Sequence, residues 1–467
     1  MGRTGPAIPP PVTGNLAVKI NPEIVKQVRR YKLITPLFGG GVEPGVNDEV
    51  TLISGKAIRG HLRFWWRATR GGKFKDPKSL LEFESMLFGA ASNQSDDNAS
   101  KKKDSNIKVE IAVLVTNKGR EDSPYEVVNN RDGNPQTKIR KGTKVPSYAA
   151  FPLQPSSSDR EYRAEMKTKF VRVGVEFTLS ISFPAKYSKD VEAALWAWET
   201  FGGVGARTRR GFGALFLESI DGVNVVRINR VTRLDDVKKV IDDQLKEYVT
   251  DGEWIENLSH LSQKAAYEVM ALNLDALMCW KGLVDKLNEF RQQRNPPRTE
   301  GTRTIPGRSK WNEPEAIRDI TRQRLPRHKK AGADFLKFPR AAFGLPIAFQ
   351  FKDRDRYNPF NSNRDPRKTL LKLAFSERLA SPLILRPLAV SETQFVGIAL
   401  ILDGTLLPDE MQLVLRNDED KDKDIIKDGL EAWLEDHEAK QIKRTNDRTP
   451  LLSDPDVLYS FLDYLNS

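Results

Sequence analysis

FGGVGARTRRGFGAL, which spans Phe201 to Leu215, is the stretch that decides how the rest of this sequence is interpreted. Its glycines allow positive φ angles and leave backbone amide groups uncovered, so that an anion can approach them closely. Three guanidinium groups in the same few residues, those of Arg207, Arg209 and Arg210, add forked positive charge. The combination predicts a loop that binds a sugar-phosphate backbone and is shaped by four of its glycines, Gly203, Gly205, Gly211 and Gly213.

The same loop is open to other interpretations. A dinucleotide-binding GxGxxG turn is excluded because Thr208 stands where the third glycine should be. The loop also leads from a predicted helix into a predicted strand, which is the reverse of that motif, and no Walker lysine follows it. A glycine-rich hairpin whose arginines are merely solvated remains an alternative.

The residues on both sides of the loop predict an ordered series of strands and helices. Alternation of apolar and polar residues indicates strands, and three-to-four-residue spacing indicates helices. The series is a strand at Tyr31–Leu37, helices at Lys56–Arg70 and Pro77–Leu87, strands at Asn106–Thr116 and Lys169–Phe183, a helix at Val191–Phe201 and a strand at Ala214–Ile228. This order predicts an α+β fold built on the ferredoxin-like βαββαβ unit.

The second half predicts a further α/β unit with a less clear order. Helices are expected at Leu234–Tyr248, Lys264–Gln293 and Lys427–Lys440, and strands at Phe343–Phe351, Ser381–Val390 and Phe395–Leu402. Residues 117–165 are polar and charged, with a basic cluster before Pro146, and they predict a long mobile insertion rather than core. Residues 295–330 predict a linker or a binding loop.

A second basic feature lies on the first predicted helix. At about 100° per residue, Arg59, Arg63 and Arg67 form one stripe together with Arg70. The adjacent face carries Ile58, Leu62 and Trp65, so one side of the helix packs and the neighbouring side is basic. The stripe predicts one wall of an RNA-binding groove, and a simply solvated helix face is the alternative.

Composition favours a polyanionic partner and limits the chemistry. Lys plus Arg exceed Asp plus Glu by 75 to 63, which gives a net charge of +12. A single cysteine, Cys279, and four scattered histidines predict no disulfide, no metal site and no cofactor. We expect a cytoplasmic protein without a membrane anchor. His61, inside the arginine stripe, is the one candidate general base for RNA cleavage, and it has no visible partner.

Several segments resemble the RAMP proteins of CRISPR systems, and among them the first-numbered Cmr subunits of type III-B effector complexes. They are TPLFGGG at 35–41, IRGHLRFWWRA at 58–68, LFG at 87–89, TFGGVGARTRRGFG at 200–213, GRSKW at 307–311, FPRAAFGLPI at 338–347 and RLASPLILRP at 378–387. The resemblance implies two tandem ferredoxin-like (RRM-like) RAMP domains with insertions, over residues 1–230 and 231–467. Residues 117–165 and those after Asp403 match no part of the family pattern.

The resemblance also implies a function. It implies a non-catalytic, RNA-binding subunit of an antiviral ribonucleoprotein, near the 3′ end of the guide RNA, which assists capture of single-stranded target RNA. Its partners would be both RNA strands, a neighbouring RAMP subunit and the repeated backbone subunit. Two alternatives stay open at this point: a metal-independent endoribonuclease that processes guide precursors with His61 as base, and a scaffold that binds only proteins.

Overall fold

The fold was analysed in a computed structural model. It describes residues 23–41, 45–89, 108–129, 133, 135–154, 170–225, 233–301, 303–305, 307–325, 336–351, 365–366, 368–376, 378–404, 410–416, 422–442 and 450–466. Within these residues helices and antiparallel strands are mixed, so the predicted α+β class is confirmed.

The first half is built around one antiparallel sheet. Its strands are β1 (Ile24–Leu33), β2 (Glu110–Asp122), β5 (Val171–Pro184), β6 (Leu215–Ile220) and β7 (Val223–Asn224), and its helices are α1 (Gly55–Arg70), α2 (Pro77–Phe88) and α3 (Ser188–Phe201). The strands lie in the order β2-β5-β1-β6-β7. With α1 between β1 and β2 and α3 between β5 and β6, this is the ferredoxin-like connection that the sequence predicts.

Strand β5 shows why this sheet forms. Its side chains alternate, and the five that face α1 and α3 are almost completely buried: Val175, Phe177, Leu179, Ile181 and Phe183. Burying apolar area at roughly 25 cal/mol per Å² is the main driving force for pairing a strand with helices in this way. The helices supply Trp66 and Trp198, both fully buried, to the same core.

Residues 117–154 are not the mobile insertion that the sequence predicted. Strand β2 continues to Asp122, and a hairpin follows, made of β3 (Tyr125–Asn129) and β4 (Pro135–Ile139). The residues after the hairpin bury four apolar side chains against the first and second halves: Val145, Ala149, Ala150 and Leu153. Small apolar residues between charged ones gave no periodic signal, which is why this packing was missed. Residues 155–169 lie outside the described residues.

The second half contains the remaining elements. They are α4 (Leu234–Tyr248), β8 (Tyr267–Asn273), α5 (Ala276–Arg291), β9 (Arg298–Glu300), β10 (Arg303–Ile305), α6 (Glu313–Thr321), β11 (Ile347–Phe349), β12 (Thr369–Leu373), β13 (Leu383–Ala389), β14 (Phe395–Ile401), β15 (Met411–Arg416), β16 (Asp422–Leu430), α7 (Asp436–Ala439) and α8 (Val457–Leu465). One sheet has the order β13-β14-β8 and another the order β11-β12-β15-β16.

Three sequence predictions in this half are wrong. Residues 267–273 form a strand, not the start of a long helix, because β8 pairs with β14 in the core. Residues 427–430 belong to strand β16, which pairs with β15, and the helix expected at Lys427–Lys440 is reduced to α7. The expected linker at 295–330 contains the hairpin of β9 and β10 and helix α6, next to the fully buried Trp311.

One large hydrophobic cluster contains residues of both halves. Val237, Ile241 and Leu245 of α4 pack in the same cluster as the first-half helices, and so do Ile384 and Leu388 of β13. Residues 226–232, where the domain boundary was predicted, lie outside the described residues. The division into two tandem RRM-like domains therefore stays a prediction.

Candidate nucleic-acid interface

The loop between α3 and β6 folds back on itself and onto the chain after β1. The amide of Val204 donates to the carbonyl of Gly213 (3.0 Å), and the amide of Ala206 donates to the carbonyl of Phe38 (2.7 Å). The amide of Gly213 donates to the carbonyl of Pro36 (2.9 Å). These bonds hold the loop against a second glycine-rich segment, so its shape is fixed by backbone contacts on two sides.

The glycines of this loop provide room for protein backbone. A Cβ atom added at Gly205 would lie 2.6 Å from the carbonyl oxygen of Phe38, and one at Gly203 would lie 2.8 Å from that of Gly213. At Gly211 it would lie 2.4 Å from Nε1 of Trp280, a residue of α5. The sequence suggested that the bare backbone lets phosphate approach, whereas the structure uses it for close packing, within the loop and its neighbouring segment at Gly203 and Gly205 and against the second half at Gly211.

Two of the three loop arginines also point toward the second half. Arg210 donates to the carbonyls of Leu383 and Phe343, each at 3.0 Å, while its own carbonyl accepts from Trp280 Nε1 at 2.6 Å. Arg209 donates to the carbonyl of Ser381, and its guanidinium lies 5.7 Å from the ring centre of Phe64 on α1. These side chains are partly buried and link β13 to the loop.

Positive charge accumulates where the loop meets the second half, at an arginine seam formed by Arg207, Arg209, Arg210 and Arg291. Burial, with Arg291, Arg207 and Arg209 nearby, lowers the pKa of Arg210 to about 9. Burial also lowers the pKa of Arg207 and of Arg291, which lies at the end of α5 beside Tyr148. Within the described part of the chain, no carboxylate forms an ion pair with any of the three loop arginines. Such a cluster favours a negatively charged ligand, because buried like charges repel one another.

Arg207 is the loop arginine with spare hydrogen-bonding capacity. Its backbone is left-handed (φ 58°), and its Nε is enclosed without a hydrogen-bond partner. Its positive charge is favoured by Tyr148 and Tyr125, two tyrosines from the segment that the sequence predicted to be mobile. Arg207 thus differs from Arg209 and Arg210, whose donors are engaged by backbone carbonyls.

The arginine stripe of α1 is largely paired inside the protein. Arg63 and Arg67 both bind the carboxylate of Glu84, a residue of α2 that is 1% exposed, and the Arg67 contact measures 2.7 Å. Arg70 is buried and donates to Asp190 and to the carbonyl of Tyr248. Arg59 is partly exposed, with its Nε enclosed and unbonded. The predicted packing face is confirmed, since Ile58, Leu62 and Trp65 are all buried.

His61 lies on the same helix, near Trp198, with 6.4 Å between ring centres. Burial lowers its pKa from 6.5 to about 4. A general base works best when its pKa is close to the working pH, so this imidazole is poorly suited to RNA cleavage near neutrality. This lowered pKa argues against His61 as the base of the endoribonuclease alternative.

The shifted pKa of His61 predicts a pH-dependent stability. Unfolded histidine titrates near 6.5, so the unfolded chain binds the proton first as the pH falls, and the free energy of unfolding decreases between pH 6.5 and 4. We expect a total decrease of about 3 kcal/mol from this group. Urea unfolding of wild type and His61→Gln across that range measures it; an identical decrease in both proteins would contradict the assignment.

Sequence reasoning missed several residues of this seam. Arg291, Tyr148 and Trp280 are distant from the loop in sequence and carry no local signal that connects them with it. Arg386 did carry a signal, because it is a lone charge in the apolar strand LILRPLA. Its guanidinium is fully buried and donates to the carbonyls of Gly202 and Leu215.

Metal ligands, membrane-spanning helices and the single cysteine also bear on function. Among the residues described, no group of three or more His, Cys, Asp or Glu side chains could hold a metal ion. No helix in that part of the chain is both long and apolar enough to cross a membrane. Cys279 is buried, and burial raises its pKa to about 11.

The first half matches a known family model. The RAMP superfamily model matches residues 30–216, which run from β1 into β6. The chain is also similar to the CRISPR system Cmr subunit Cmr1-2 of Pyrococcus furiosus. The two are 27% identical over 192 residues, which are 40% of this chain and 92% of the relative.

Two solved structures are similar to this one. One is the crystal structure of Cmr1 from Pyrococcus furiosus in its apo form, with 17% identity, a TM-score of 0.41, and coverage of 82% of this chain and 90% of that one. The other is a chain of the cryo-EM structure of type III-B Cmr-beta bound to cognate target RNA. It is 13% identical, with a TM-score of 0.44 and coverage of 81% of this chain and 94% of that one.

Proposed function

We propose that this protein is a non-catalytic, RNA-binding subunit of a type III-B CRISPR (Cmr) effector complex. The homology to a Cmr subunit supports membership of such a complex. The observation that supports the RNA-binding role is the seam between the two halves, where Arg210 and Arg291 both contact Phe343. Burial and the nearby charges of Arg291 and Arg207 lower the pKa of Arg210 there. A ribose-phosphate backbone supplies the negative charge that such a site favours.

The finer parts of this proposal concern place and partners. The subunit lies near the 3′ end of the guide RNA in the cytoplasm, beside another RAMP subunit and the repeated backbone subunit, and it assists capture of target RNA. Base pairing between guide and target selects the sequence, so the protein needs backbone contacts only. Arg59 adds a further basic side chain, while Arg63 and Arg67 form the groove wall with their charge partly neutralised by Glu84.

Arg207→Gln is the variant that tests RNA binding. Because Arg207 Nε has no hydrogen-bond partner, replacing this side chain removes a positive charge without breaking a hydrogen bond of that atom. We expect weaker binding of labelled single-stranded RNA and a salt dependence of log K that is shallower by about 0.7. Fluorescence anisotropy over a range of salt concentrations measures both.

Arg30→Gln is the matched control for that measurement. Arg30 is an exposed arginine of β1 that contacts Glu218, and its side chain is on the face of the strand that points away from the helices. It should leave the salt slope unchanged. If Arg207→Gln also leaves the slope unchanged while wild type binds RNA, phosphate does not contact this seam. Crosslinking to labelled RNA in the assembled complex then separates RNA contact elsewhere from a scaffold that binds only proteins.

A further inference from the structure

A basic turn begins at the end of β4 and continues beyond the hairpin of β3 and β4. Its sequence from Lys138 to Lys144 is KIRKGTK, with four basic residues and no acidic one. The side chains of Lys138, Lys141 and Lys144 are exposed. Arg140 instead binds Asp122 of β2 and so anchors the turn. The three lysines are therefore the basic side chains that the turn exposes to solvent.

This turn is firmly attached to the protein core. Tyr125, buried in β3, is paired with Ile139 and donates its hydroxyl to the carbonyl of Ser147 at 2.9 Å. The residues just after the turn, including Val145 and Ala149, are buried in the cluster that contains Trp280 of α5. Lys144 forms an ion pair with Asp275, at the start of the same helix (2.5 Å). A turn held on both sides presents its lysines in a fixed place.

The anchoring residues also place the turn beside the arginine seam. Tyr125 pairs with the turn's Ile139, and the ring centre of Tyr148, four residues after Lys144, lies 6.0 Å from the guanidinium of Arg291. One short segment therefore supplies Tyr148, which contacts Arg291 of the seam, and the exposed lysines of the turn.

We propose that this basic turn binds the phosphate backbone of the RNA strand that contacts Arg207, and so lengthens the RNA-binding track. The proposal rests on the RNA-binding function proposed above. Lysine is a flexible point charge that contacts phosphate without reading base identity, which suits a strand whose sequence is chosen by base pairing. Tyr148, which is partly exposed between the turn and the seam, is placed where an aromatic ring can support a base.

The test is the double variant Lys138→Gln and Lys141→Gln in the full chain. It leaves Arg140 and Lys144 in place because they form ion pairs that hold the turn. With a labelled oligouridylate as probe, we expect the salt slope to become shallower by about 1.4, or 0.7 for each lysine, at an unchanged melting temperature. The matched control is Lys75→Gln and Lys78→Gln. These two exposed lysines have the same spacing and lie after α1, at the start of α2.

The outcomes separate this proposal from the one on which it rests. If Arg207→Gln lowers the slope and the lysine double variant does not, the turn does not contact RNA, while the proposed function stands. If wild type does not bind the oligouridylate at any salt concentration, both proposals fail. If the double variant retains its slope but loses association with the other subunits of the complex, the turn is a protein contact and the inference is overturned.

Discussion

Replacing Gly213 by alanine should destabilise this protein more than any other single methyl group added to the loop. The added Cβ would lie 1.9 Å from the carbonyl oxygen of Val204, and the residue has φ +61°, which costs a side chain about 1–2 kcal/mol by itself. The carbonyl cannot easily move away, because the Val204 amide is bonded to the Gly213 carbonyl. We expect a loss of about 4 kcal/mol in the free energy of unfolding, measured by urea denaturation.

Gly222→Ala is the matched control for that substitution. Gly222 also has a positive φ, +80°, but nothing lies within 4 Å of its added Cβ. It should lose only the backbone component, about 1 kcal/mol. Equal losses at both positions would show that the left-handed backbone alone explains the glycine, and that the close approach of Val204 is not a constraint.

Arg386→Met should be the second severe substitution, because it removes the charged donor at the centre of the joint between the halves. The guanidinium is 0% exposed and donates to the carbonyls of Leu215 (3.0 Å), Gly202 and Pro387. Methionine fills a similar volume but leaves those buried acceptors without their donor. A loss of about 3 kcal/mol is expected, since each unsatisfied buried group costs about 1–3 kcal/mol.

Thermal unfolding of Arg386→Met and of Arg378→Met measures this effect. Arg378 is exposed eight residues earlier in the chain, so its replacement changes charge equally but should leave the melting temperature almost unaltered. A melting temperature for Arg386→Met equal to that of wild type would mean that the carbonyls find other donors. The loop arginines Arg209 and Arg210 would then be sufficient to hold β13 against the first half.

These contacts give the glycine-rich loop two roles at once. Its backbone and two of its arginines join the halves, while Arg207 and the neighbouring Arg291 keep positive charge at the same place. Substitution of all three loop arginines would therefore mix a loss of stability with a loss of charge. Arg207→Gln is the cleaner measure of RNA binding for this reason.

The first-half fold was readable because its signals are local. Alternation in β5 and the amphipathic spacing in α1 follow from the periods of strand and helix, and the buried faces of both agree with the sequence. The second half failed where local propensity was overridden. Residues 267–273 look helical by themselves, but they form β8 because β14 offers a partner in the core.

The candidate site was readable only in part. Sequence identified the loop and the α1 stripe as concentrations of arginine, and glycine as the reason that the loop can bend. It could not tell which guanidinium groups are used internally, because Glu84, Ser381 and Phe343 lie far away along the chain. The sequence also shows the basic residues at 138–144. It does not show how this segment is attached to the core, which depends on contacts with Trp280 and Asp275.

The sequence by itself determined the α+β class, the order of elements in the first half and the position of the glycine- and arginine-rich loop, because each depends on residues a few positions apart. Tertiary structure alone decided that Arg209 and Arg210 join the two halves, that Arg63 and Arg67 are paired with Glu84, and that Arg207 lies near Tyr125 and Tyr148. The physical reason is that the fate of a charge depends on its partners and on its distance from water. Both are set by segments that meet only when the chain is folded.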